Sequence, residues 1–130
     1  MADLERLMRA HNRFMVAFDL VLGGGALAAP AATLRVLGHD PPSPDMEAMI
    51  RRQGPIWLTF AAAHLVAAVR NEPRDWWALA WLRGTEIATD AIWAGSPAFT
   101  RPGARAGLRF ASASNLAMTA GFAALARRGR

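Results

Sequence analysis

The sequence predicts an all-α fold, specifically a four-helix transmembrane bundle forming a single domain over residues 1–130. Four observations predict it. Four apolar segments can be read, over residues 14–29, 55–69, 76–94 and 110–126. The second and fourth are rich in Ala, Leu, Phe and Val and lack the charged face that a soluble surface helix sets opposite its apolar stripe. Arginines bracket the segments: Arg6, Arg9 and Arg13; Arg51 and Arg52; Arg70 and Arg74; Arg101, Arg105 and Arg109; Arg127, Arg128 and Arg130. Long Arg side chains at helix ends snorkel and extend an apolar span. Trp57, Trp76, Trp77 and Trp93 sit near segment ends, where interfacial belts place Trp. Two facts point the other way. The runs are at the short end of the ~17–25 residues a span needs, and the mean hydropathy is +0.13. A soluble helical bundle with Trp in its core is the alternative.

The first segment is interrupted by Asp19 and carries Gly23-Gly24-Gly25, which either breaks the helix or lets a neighbour pack closely; close packing is the expectation. With Asp3 and Glu5 ahead of it and Asp19 inside it, the segment does not read as a cleaved signal peptide. Residues 30–44 form the main irregular stretch, stiff and extended through Gly38-His39-Asp40-Pro41-Pro42-Ser43-Pro44. The next helix begins near Met46 with Asp45 as its cap, and a kink is expected at Gly54-Pro55. Asn71-Glu72-Pro73-Arg74-Asp75 is a short turn, so the second and third segments are antiparallel neighbours. Gly95-Ser96-Pro97 closes the third helix, and Arg101-Pro102-Gly103 opens the fourth.

The third segment carries the best clue to a site. Arg83, Glu86 and Asp90 share one helical stripe in an otherwise apolar run. Charges in such a setting are costly and turn inward. Each other helix has its own polar stripe: Asn12, Asp19 and Gly23; Gln53, Trp57, Phe60 and His64; Arg109, Ser112, Asn115 and Thr119. Turned inward, these build a polar, carboxylate-rich interior. Asp19, Glu86 and Asp90 are the candidate acid/base groups and Arg83 an anion or oxyanion partner, pairing with Glu86 or Asp90. His64, Trp57, Ser112, Asn115 and Trp93 are candidate ligand-binding residues. A structural ion pair around Arg83, a core histidine at His64 and helix ties at Ser112 and Asn115 are the plainer roles for the same residues.

Composition excludes several chemistries. Without cysteine there are no disulfides, thiolate metal sites or cysteine nucleophiles. No phosphate loop, paired-histidine zinc helix or nucleophile elbow is present. One histidine with carboxylates makes a weakly selective metal site, so neither metal nor cofactor is expected. The net charge of +5 comes from arginines scattered among segment ends, a pattern suited to lipid headgroups rather than nucleic acid. The arginine bias favours both termini on the cytoplasmic side of the inner membrane.

The layout resembles the small four-helix membrane families of the DoxX-like type. Leu22-Gly23 to Ala29-Pro30 closing the first helix, Leu34-Arg35-Val36-Leu37-Gly38 after it, and Arg83 to Asp90 in the third carry the resemblance. It covers most of the chain at the level of layout and implies the same membrane bundle, but no site by position. The expected function is an intramembrane site that binds a lipophilic small molecule; conversion by proton transfer, as by a cofactor-free isomerase or cyclase, is its narrower form, and whether the chain is an enzyme is left open. The alternative is a non-enzymatic accessory subunit of a larger membrane complex, or a homo-oligomer, with the polar residues as interhelical glue.

Overall fold

The computed structural model describes residues 2–39, 41–97, 99 and 101–128. Asp40 in the irregular stretch and Arg130 in the last arginine cluster lie outside the described residues. The described chain is all-α, with five helices rather than four: α1 Ala2–Ala28, α2 Pro30–Val36, α3 Pro44–Arg70, α4 Pro73–Ala94 and α5 Pro102–Arg128.

The added element is α2, which occupies the first half of the stretch expected to be irregular. Pro30 stands at its first turn, where a missing N–H costs nothing. Its inward side buries Pro30 and Leu34. Gly38, at φ +97°, then turns the chain out of it. The following helix starts two residues earlier than expected, and its cap is Ser43 rather than Asp45. The Ser43 hydroxyl accepts from the Met46 amide at 3.3 Å. α3 runs on through Pro55 as one helix, and Asn71, left-handed at φ 55°, terminates it. Only Asn71 and Glu72 separate α3 from α4.

The glycine run does not interrupt α1. Gly23 lies against Gly54 of α3; a Cβ there would meet the Gly54 carbonyl oxygen at 2.8 Å. Close packing is therefore what this glycine permits. The pairs α1 with α3 and α4 with α5 pack most extensively, while α3 touches α4, and α1 touches α5, much less. The long helices pack antiparallel: Asn12 meets His64 while Gly23 meets Gly54, Met8 meets Gly121 while His11 meets Met118, and Gly84 meets Thr119 while Ile87 meets Ser112. One end of the bundle thus gathers the start of α1, the end of α3, the start of α4 and the end of α5.

Two apolar clusters fill the interior. Met8, Met15, Trp76, Leu79, Phe122 and Leu125 pack the end near the α5 C-terminus. Ala26, Leu34, Ile50, Trp57 and Phe60 pack the other end along α1, α2 and α3. Trp57 and Trp76 are core residues here, and Trp76 stacks on Phe122 at 5.7 Å. They do not form the outward belt their positions suggested. Trp81, inside the third segment, is the strongly exposed one.

Among the described residues no helix is long and apolar enough to cross a membrane. Each long helix carries the inward polar residues that lower its average: Asp19, then Gln53 and His64, then Arg83, Glu86 and Asp90, then Asn115.

Candidate functional site

Arg83 is the hub. It comes from the middle of α4, is buried, and reaches two other helices. Its Nη2 donates to Asp19 Oδ2 on α1. Its Nε and Nη2 also face His64 Nε2 on α3, at 2.9 and 2.7 Å. A guanidinium has only donors, so His64 Nε2 must be the acceptor. That assigns the imidazole proton to Nδ1, which donates to Asn12 Oδ1 at 2.6 Å. Asn12 Nδ2 in turn donates to the His64 carbonyl at 2.9 Å. The Phe60 ring lies against the guanidinium, 5.4 Å from its carbon. Three helices are tied by one buried network, and Asp19, Asn12 and His64 all fall below 2% exposure.

The pairing differs from the one expected. Arg83 bonds Asp19 across the bundle and not Glu86 or Asp90 along its own helix. Glu86 has no hydrogen-bond partner among the described residues, and Asp90 Oδ2 accepts from Asn115 Nδ2 of α5 at 2.8 Å. The reason is direction: Glu86 and Asp90 point toward open space, while the guanidinium extends toward α1 and α3.

That open space is a cavity of about 640 Å³ between the network and the end of the bundle that holds α2. Asp19, Arg83, Glu86 and Asp90 line it, with Trp57, Trp93 and Asn115 from the expected ligand set. His64 and Ser112 do not. His64 stands behind Arg83 as a positioning residue, and Ser112 donates to the Ile87 carbonyl at 3.0 Å as a tie between α4 and α5. The apolar walls come from residues the charge pattern did not single out: Phe14, Met15, Phe18, Leu22, Leu37, Phe110 and Met118. His11, also in the wall, contacts Met118 Sδ at 2.9 Å. Their i, i+4 spacing along α1 (Phe14, Phe18, Leu22) was the available signal.

Part of the cavity lining reaches the outer surface. α1 and α5 meet where Met8 lies on Gly121 and His11 on Met118, and part beyond that point. Phe14 and Phe18 on α1 and Phe110 on α5 line the cavity yet are exposed on the outer surface, Phe110 by 75%. Among the described residues no group of three or more His, Asp or Glu side chains is placed to hold a metal ion. No family model, curated protein or solved structure matches this chain.

Proposed function

We propose that this protein is embedded in lipid, with α1, α3, α4 and α5 as its spans, and that its cavity binds a lipophilic small molecule. One observation carries the reading: Phe14, Phe18 and Phe110 line the cavity and are also exposed, within a belt of outward apolar residues that Arg13 and Arg109 border. Over residues 14–29, 55–69, 76–94 and 110–126, every exposed side chain is apolar, Gly-like small, or a hydroxyl. Thr59, Thr85 and Thr89 donate their hydroxyls to carbonyls of their own helices, at 2.9, 2.6 and 3.2 Å, so even these ask nothing of water. Averaging hydropathy along a helix mixes this outer face with the polar inner one. The bilayer meets the outer face alone. From Arg52 to Arg70, and again from Arg109 to Arg127, a helix rises about 27 Å, close to the ~30 Å of a hydrocarbon core.

A molecule dissolved in the bilayer would enter between Phe14, Phe18 and Phe110 and meet carboxylates inside. The volume suits it, since small-molecule sites run ~300–1,000 Å³. Proton-transfer chemistry is the narrower form of this reading. It falls to Glu86 and Asp90, because Asp19 is held by Arg83.

The test is to express the chain, wash the membranes with carbonate and examine the detergent extract by native mass spectrometry. A carbonate-resistant protein carrying a small lipophile is the expected result. Recovery in the soluble fraction overturns the embedding. Isolation only with other polypeptides covering the belt supports the accessory-subunit alternative instead.

A further inference from the structure

We infer that the ligand of this cavity is a lipophilic cation, such as a hydrophobic amine or onium compound, held with its positive centre toward Glu86 and Asp90. The inference rests on the reading that the cavity binds a lipophile, and adds the charge that lipophile must carry. Three carboxylates line the cavity against one guanidinium. Arg83 commits Nε and Nη2 to His64 and Asp19, which leaves only Nη1 for a carboxylate or phosphate entering from lipid. Asp19 is 1% exposed, lines the cavity, and its Oδ1 accepts no hydrogen bond. A buried carboxylate oxygen without a donor is costly and calls for one. Glu86 likewise has no hydrogen-bond partner among the described residues, while Asp90 has one oxygen on Asn115. Among the described residues, the cavity's fully buried unsatisfied atom is thus Asp19 Oδ1, and it calls for a donor or a positive charge.

The walls agree with the acids. Trp57 and Trp93 face the same space as Glu86 and Asp90. Indole faces attract cations that have shed water, and aromatic walls also bury the apolar body of such a compound. An anion of the same shape would meet three carboxylates with only the already paired Arg83 to offset the repulsion.

Tetraphenylphosphonium and tetraphenylborate share one shape and differ in the sign of charge, so they separate charge from fit. Each would be titrated against the purified protein in lipid nanodiscs, following tryptophan fluorescence. Saturable quenching by the phosphonium is expected at a concentration about tenfold or more below that of the borate, a preference of ~1.4 kcal/mol or more. Glu86→Gln with Asp90→Asn should erase the preference while the protein stays monodisperse. If the double variant does not fold, the wild-type comparison decides alone. Borate binding as tightly as the phosphonium overturns the cation and leaves the lipophile reading standing. Saturable binding of neither probe overturns both.

Discussion

Arg83 shows what a single residue can be asked to do in this chain. Removing either partner of a buried ion pair leaves an uncompensated charge, at a cost of ~3–5 kcal/mol. Arg83→Ala should therefore destabilise the fold by about that amount, measured by denaturant or thermal unfolding in detergent. Asp19→Asn should cost less, because Nη2 keeps an amide oxygen to donate to. Analysing the two substitutions together should show strong coupling; simple additivity would mean the pair is not one unit. His39 supplies a pH dependence. It is buried, its ring 4.3 Å from that of Phe99, and burial lowers its pKa from the ordinary 6.5. The unfolded chain therefore binds that proton more readily than the folded one. Its stabilising effect is complete above about pH 6.5 and fades as pH falls toward the lowered folded value. His39→Phe should flatten that part of the stability profile, and an unchanged profile would show that His39 is not responsible. The sequence pointed to Asp19, Glu86, Asp90 and Arg83 because charge inside an apolar run is visible in one dimension. It could not say which of them pair. Glu86 and Asp90 are near Arg83 along the helix, yet the partner comes from α1, 64 residues away.

Among the elements, the contact of α1 with α3 turns on glycine. Gly23→Ala or Gly54→Ala must push the helices apart, since the added carbon would meet backbone or Leu58 at 2.8–2.9 Å in one case and Leu27 at 2.7 Å in the other. Gly24 has nothing within 4 Å, so Gly24→Ala should instead stabilise by ~0.5–1 kcal/mol through helix propensity. Opposite signs at adjacent glycines, read as shifts in thermal midpoint, would identify the contact; equal effects would deny it. Ser43→Ala should cost about 1 kcal/mol by removing the α3 cap. Four long helices were legible from apolar length and arginine brackets. The short α2 was not, because Pro30-Ala31-Ala32-Thr33-Leu34 has helix-forming residues but no room for a periodic stripe. Ser43 and Asp45 are both good capping types; which one caps depends on where Pro44 places the first turn.

At the scale of the molecule, the belt is the feature to test. Trp81 is 76% exposed within it, whereas Trp76 is buried. Reconstituted with lipids brominated along the acyl chains, the protein should lose part of its fluorescence, and Trp81→Phe should remove most of the quenched fraction. Fluorescence indifferent to brominated chains would place Trp81 away from lipid and remove the embedding. The belt was only half legible in the sequence. Outward Phe14, Phe18, Leu65, Val66 and Phe110 mix along the chain with inward Asp19, His64 and Asn115, and one number per segment cannot separate two faces.

The two tightly packed helix pairs have a consequence for motion. α1 with α3 forms one closely packed half and α4 with α5 the other, and the halves share a short turn, a modest contact between α3 and α4 and a slighter one between α1 and α5. The cavity lies in the seam between them, and the Arg83 contacts to α1 and α3 rivet the halves at its inner boundary. If the proposed ligand is held between these halves, its release should slow when they are cross-linked across the seam, and an unchanged release rate would deny that the halves part.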